Sequence, residues 1–192
     1  MTQNLDYAGS GFINIPTSGA SPTTNMQAMY YNYDQTTYGW NGYKYGLLYN
    51  HAALEFLIEN TSTLFTNWHV PTSDELTGLM NAIGTTGSFQ AGKAVDGSVA
   101  TGVPSNWGGT DTYGFNLVPS GYYTDSGRFG GVSGNDMQVN LWSSTPHANG
   151  TMEYAFLVYK SYSPLVTAID FKNQCAVRLV WDGTASYVGP GA

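Results

Sequence analysis

A chain of 192 residues fits one domain of somewhat above average size, which hides roughly 70% of the surface its unfolded form exposes. Its net charge of -7 repels phosphate backbones and excludes nucleic acid as a partner, while 42% hydrophobic and 15% aromatic residues supply too much core material for a disordered segment. Only 10% of residues are charged, against roughly 25% in ordinary domains, and no apolar run approaches the roughly 18 residues of a membrane-inserting helix.

In chain order, Met1-Thr-Gln-Asn-Leu5 lacks the charged start and apolar centre of a signal peptide. The expectation is export without a cleaved signal, or excision from a longer precursor. Residues 9–24 are rich in turn formers and read as loop. The segments 30–33 and 43–49 carry aromatics at alternate positions, as short strands do, on either side of the turn Gly39-Trp-Asn-Gly42.

Residues 50–60 predict a first helix, with Ala52, Ala53, Phe56 and Leu57 on its apolar side and His51, Glu55 and Glu59 opposite. A second helix follows Pro71. Thr72 and Glu75 have capping-box spacing, Leu76, Leu79, Met80 and Ile83 form the apolar stripe, and Gly84 ends it. From there to Gly134 glycine recurs every few residues, which predicts long loops supported by short strands. From Leu141 onward strand-like runs at 154–159, 165–171 and 176–181 predict an antiparallel meander. The order is α+β. One domain over 1–182 is expected, followed by an extension over 183–192 used in assembly.

Few residues suggest chemistry. Cys175 is the only cysteine, which rules out an intrachain disulfide, and its apolar setting reads as a buried small hydrophobe. His51, His69 and His147 lie in separate segments without zinc spacing, and His69 reads as structural at the start of a helix. No nucleophile elbow, Walker loop or dinucleotide fingerprint is present, so neither catalytic residues nor a metal or other cofactor is assigned. A carboxylate pair for glycoside hydrolysis has no sequence signature, because such pairs are assembled in space. Asn60-Thr-Ser and Asn149-Gly-Thr fit the glycosylation sequon, a triplet common by chance.

The strongest signal is an ordered series: Tyr45-Gly-Leu-Leu-Tyr-Asn50, Trp68-His-Val-Pro-Thr72 with Glu75, Trp107-Gly-Gly-Thr-Asp-Thr-Tyr-Gly-Phe115, Pro119-Ser-Gly-Tyr122, Leu141-Trp-Ser-Ser-Thr145 and Val177-Arg-Leu-Val180. With Asn4-Leu5 at the start, it resembles the Fibrobacter succinogenes major paralogous domain over nearly the whole chain, except for the tryptophan that opens other members. The resemblance implies a C-type lectin-like fold, with two helices packed on small antiparallel sheets and long Gly-rich loops. It also implies that Trp68, Trp107 and Trp142 anchor core or loops.

Related lectin-like modules include targets of diversity-generating retroelements in phage tail tips and bacterial surface lipoproteins, whose variable residues occupy the terminal sheet. The matching stretch here is 151–173. By that analogy the ligand-binding residues are Glu153, Tyr154, Phe156, Tyr159, Lys160, Tyr162, Thr167, Asp170 and Asn173. Strand alternation divides Tyr154, Phe156 and Tyr159 between two faces, so at most half of such residues can face a ligand. Leu165, Val166, Ala168 and Ile169 are apolar where relatives are polar, which points to a self-association surface. The calcium triplets of animal lectins are absent, Asn135-Asp136 being the nearest echo, and the lone Cys175 does not suit the cysteine chemistry of formylglycine-generating enzymes.

The expected function is therefore non-catalytic recognition of a glycan or surface-protein receptor, at an extracellular location on a cell surface or virion. The alternative is a self-assembling phage fibre, head or tail component, most naturally a homotrimer. A carbohydrate-active enzyme is the third reading.

Overall fold

The computed structural model describes residues 4–5, 7, 26, 28–29, 45–84, 89–95, 106–131 and 135–183. The expected loop at 9–24, the strand at 30–33, the turn Gly39-Trp-Asn-Gly42 and residues 184–192 of the expected extension lie outside them. In chain order the elements are β1 (Ala28–Met29), β2 (Leu48–Tyr49), α1 (His51–Leu64), β3 (Trp68–His69), α2 (Ser73–Ile83), β4 (Tyr122–Tyr123), β5 (Phe129–Gly130), β6 (Gln138–Pro146), β7 (Met152–Tyr159), β8 (Leu165–Asp170), β9 (Cys175–Ala176) and β10 (Val180–Trp181). The expected α+β order holds.

Helix α1 starts where the Asn50 side chain accepts the Ala53 N–H at 3.1 Å. It continues to Leu64 rather than stopping at Asn60. Thr61 explains the difference: its hydroxyl donates to the Leu57 carbonyl, so a residue that reads as polar extends the buried stripe of Ala53, Leu54 and Leu57. Helix α2 begins and ends as expected. Thr72 and Glu75 satisfy each other's backbone N–H groups in a capping box, and Gly84, at φ +123°, closes the helix through a 2.9 Å bond from its N–H to the Met80 carbonyl.

The terminal sheet differs from the expected meander. A six-stranded sheet has the order β1-β2-β9-β6-β7-β8, in which β6, β7 and β8 are successive antiparallel neighbours. The chain then crosses back, and β9 lies between β2 and β6, parallel to β6 through Leu141 and Ala176. Strand β10 leaves this sheet and pairs with β3. The sheets are therefore mixed rather than purely antiparallel. Cys175, Ala176 and Val177 have no exposed surface, and a segment apolar on both sides belongs at the centre of a sheet, not at its edge.

The two faces of this sheet fill separate clusters. Val139, Leu141, Phe156, Val158 and Ala176 pack with Leu76 of α2 and with Phe89, Trp107, Leu117 and Tyr123 from the Gly-rich region. Trp142, Ala155, Leu157, Cys175 and Val177 pack with Ala53, Leu54 and Leu57 of α1. Each such large side chain contributes about 1.5–3 kcal/mol when fully buried. The start of the chain is tied to its end, because Leu5 donates to the Val177 carbonyl at 2.7 Å and accepts from Leu47 N–H at 2.9 Å.

The described residues of the Gly-rich region form, as expected, loop braced by short strands. Ala94 N–H bonds the Leu117 carbonyl at 2.8 Å, and isolated bridges join Gly121 to Val139 and Tyr123 to Gln174.

Candidate functional site

Two buried cations hold the loops that border the sheet. The Lys93 ammonium donates to the Lys160 carbonyl at 2.9 Å and stands 4.3 Å above the Trp107 ring. The Arg178 guanidinium donates to Asn4 Oδ1 at 2.7 Å, to the Asn116 carbonyl at 2.8 Å and to the Phe115 carbonyl, while stacking on the Phe115 ring at 4.5 Å. It thereby ties the chain start, the 106–118 loop and the end of the sheet together. Burial pushes Arg178 down to about 9, a fall that Asp111 opposes, and leaves it cationic at neutral pH.

The tryptophans divide by role. Trp107 is fully buried and donates to the Leu117 carbonyl at 2.8 Å; Trp142 is fully buried and donates to the Tyr49 carbonyl at 2.7 Å. Both are anchors. Trp68 is half-buried, edge-on to the exposed Trp181 with ring centroids 5.2 Å apart.

The nine residues expected at the ligand surface do not converge. Strand pairing sets Met152 opposite Asp170, Tyr154 opposite Ala168 and Phe156 opposite Val166, whereas Glu153, Ala155 and Leu157 face Ile169, Thr167 and Leu165 on the other side. Phe156 is removed from the surface altogether: it is fully buried, edge-to-face with Phe89 at 5.4 Å. Glu153 turns toward α1, where its carboxylate meets His51 Nε2 at 2.9 Å, and Tyr154 stacks edge-on against His147. Asp170 is exposed but bonds the Lys172 N–H, and Asn173 donates its N–H to the Asp170 carbonyl, so both shape the β8–β9 turn. Thr167 is half-buried in β8, the edge strand.

The expected apolar patch is also divided. Val166 packs on the α2-side cluster and Ile169 on the α1-side cluster, leaving Leu165 as its one strongly exposed member, at 37%. Period-two alternation shares a continuous apolar run between both faces.

Three expected residues do gather, at the β7–β8 turn. Tyr162 is 70% exposed and meets Tyr159 edge-to-face at 6.0 Å, and Lys160 reaches Asn135 Oδ1 at 3.3 Å. Burial, and then the neighbouring Tyr122, holds the Tyr159 hydroxyl above the usual tyrosine range. Tyr122 and Asn135 are not among the nine residues expected at the ligand surface. They lie in Gly-rich segments distant along the chain, and only the loop packing brings them here.

Concave sites also lie elsewhere among the described residues. A cleft of about 250 Å³ beside α1 is lined by His51, Leu54, Glu55, Ile58, Glu59 and Glu153 among others. A cavity of about 270 Å³ opens between α2 and β10, walled by Leu76, Leu79, Phe115, Leu141, Leu179 and Trp181, with Glu75 and Arg178 also in its lining. At its edge His69 joins both oxygens of Glu75 at 2.9 Å and Asp182 at 2.7 Å. Burial lowers the His69 pKa, but hydrogen bonds and charge from Glu75 and Asp182 outweigh it and the net shift is upward.

Among the described residues no cluster of His, Cys, Asp or Glu could hold a metal ion, and Asn135 bonds a lysine instead. Cys175 is fully buried, and desolvation pushes its thiol far above the ordinary range despite a hydrogen bond with Asn140. No helix among these residues is long and apolar enough to cross a membrane.

Comparison with curated proteins and with solved structures finds no match. A family model does match, over residues 1–181, across the motifs whose buried tryptophans, caps and glycine turns build the scaffold just described. The chain belongs to the Fibrobacter succinogenes major domain family.

Proposed function

We propose that this chain is a non-catalytic ligand-recognition module of C-type lectin-like fold, which binds a glycan or a protein receptor at a bacterial surface or on a phage virion. The fold reading is supported by the two helices flanking one sheet, the tie of Leu5 to Val177, and the loops and short strands described between α2 and β6. The observation that carries the function is the aromatic and amide patch at the β7–β8 turn, where Tyr162 stands 70% exposed against Tyr159 beside the Lys160–Asn135 pair. An exposed tyrosine offers a flat apolar face for a sugar ring or a receptor side chain at small entropic cost, and the neighbouring amide and ammonium supply directed hydrogen bonds.

The test is a glycan and surface-protein array with the wild-type chain and with Tyr162→Ala and Lys160→Ala, neither of which removes core. A ligand whose affinity drops at least about tenfold in Tyr162→Ala supports the reading, since a hot-spot truncation costs about 1–2 kcal/mol or more. A ligand bound equally by all three proteins, or no ligand at all, defeats it.

A second reading, self-assembly as a fibre, head or tail component, is favoured by one feature. Strand β8 is a sheet edge with apolar residues along it and Leu165 exposed. Sedimentation at tens of micromolar decides, because a monodisperse monomer is incompatible with assembly through this edge.

A further inference from the structure

The cavity between α2 and β10 combines apolar walls with a cation that no carboxylate among the described residues pairs. Pro71, Leu76, Leu79, Leu141, Leu179 and Trp181 supply most of its wall, and Trp181 is 41% exposed at the rim. Arg178 and Phe115, stacked on one another at 4.5 Å, line it as well. Of the five N–H groups of a guanidinium, Arg178 commits three, and every acceptor is neutral: the Asn4 amide oxygen and the carbonyls of Phe115 and Asn116. Among the described residues no carboxylate forms an ion pair with it. Asp111 acts on it through charge alone, and one carboxylate oxygen of Asp111 is taken by the Asn116 N–H at 2.6 Å.

Buried charges are ordinarily paired, because a neutral cage replaces only part of the lost hydration. Arg178 is only 3% exposed and, stacked on Phe115, lines a mainly apolar cavity whose other charged lining residue is Glu75. A planar guanidinium with free N–H groups matches the geometry of a carboxylate. Glu75, also in the lining, has its carboxylate engaged by Thr72 and His69, which offsets its repulsion of a single anionic group and leaves it to disfavour a second one. The volume of about 270 Å³ lies just below the usual range of ligand sites, which limits the occupant to a small molecule.

We propose that this cavity binds a small monocarboxylate with an apolar body, an arylalkanoate or medium-chain alkanoate, its carboxylate directed to Arg178 and its body against Leu76, Leu79 and Trp181. The site is separate from the Tyr159–Tyr162 patch and does not depend on that patch being a receptor surface.

The test titrates the full chain with 3-phenylpropanoate, with octanoate and with the uncharged 3-phenylpropanamide, following the backbone amide signals of Leu76, Leu79 and Val180. The expected result is saturable shifts at concentrations on the order of millimolar, as a ligand of this size permits, with the carboxylate binding at least about tenfold tighter than its amide. Arg178→Met risks misfolding because Arg178 joins three segments. Leu79→Trp instead fills the cavity from a half-buried position, and a loss of binding of at least about tenfold is expected, whereas Tyr162→Ala leaves binding unchanged. The proposal is overturned if neither carboxylate binds, if acid and amide bind equally, or if Leu79→Trp binds as the wild type does.

Discussion

His69 shows how one side chain couples distant segments. It sits between Glu75 in the first turn of α2 and Asp182 just past β10, so a cation there fastens the helix to the end of the chain. Its folded-state pKa is raised above the ordinary 6.5, so its contribution to stability is fully present below about pH 6.5 and is lost as pH rises through the raised value. Glu75 behaves oppositely. Burial alone would raise its pKa, but bonds from Thr72 and His69 bring it below 4.5, so its contribution is present above that value and fades as pH falls through the lowered one. Thermal melts of wild type and His69→Asn should therefore separate most near pH 6 and converge as pH rises toward 9. A gap that widens with pH contradicts the pairing.

Gly109 makes a second point at this scale. A Cβ built there would lie 1.8 Å from the Ala94 carbonyl oxygen, and backbone cannot yield as a side chain can. Gly109→Ala should cost about 1–3 kcal/mol or more in chemical denaturation, as overpacking does. This glycine stands in the Trp-Gly-Gly-Thr-Asp motif, so its position was legible in sequence. Its cause, the close approach of the Lys93–Ala94 backbone to Gly109, was not.

Among the elements, α2 was the most legible because its boundaries are written locally. A capping box, an apolar stripe and a terminal glycine each act within a few residues. Thr72→Ala removes the side chain that accepts the Glu75 N–H and should cost about 1 kcal/mol, measured as a lowered denaturation midpoint with unchanged slope. Helix α1 was legible from the helical spacing of Ala52, Ala53, Phe56 and Leu57, and less so at its end, where Thr61 buries a hydroxyl by bonding its own backbone. Strands β7 and β8 were read correctly as a pair, but the run at 176–181, expected as the third strand of a meander beside β8, divides into β9 between β2 and β6 and β10 paired with β3. Strand character is a local property, whereas the choice between a hairpin partner and a crossover depends on which faces remain unburied.

For the whole molecule, the pairing of chain start with chain end carries a consequence. Leu5 is 4% exposed, packs in the α1-side cluster and bridges Val177 and Leu47 through its backbone. Leu5→Ala should lower stability by about 2–5 kcal/mol in an equilibrium urea melt, as truncation of a buried leucine does. A shift below about 0.5 kcal/mol would mean that this end does not belong to the cooperative unit.

At the candidate surface, the sequence located the β7–β8 region and its exposed Tyr162, but it could not sort the region's nine candidates by face. Phe156 went to the core, Glu153 to His51 and Asp170 to a turn, because pleating and pairing register decide which way each side chain points. The sequence by itself determined the family, the α+β order, the caps of α2 and the buried cysteine, all of which follow from short-range patterns and composition. Only the tertiary structure decided the central place of β9, the meeting of Tyr122 and Asn135 with the β7–β8 turn, and the cavity beside Arg178. Each of these joins segments far apart along the chain, and what joins them is the burial of shared apolar faces and the pairing of buried polar groups, which no local pattern encodes.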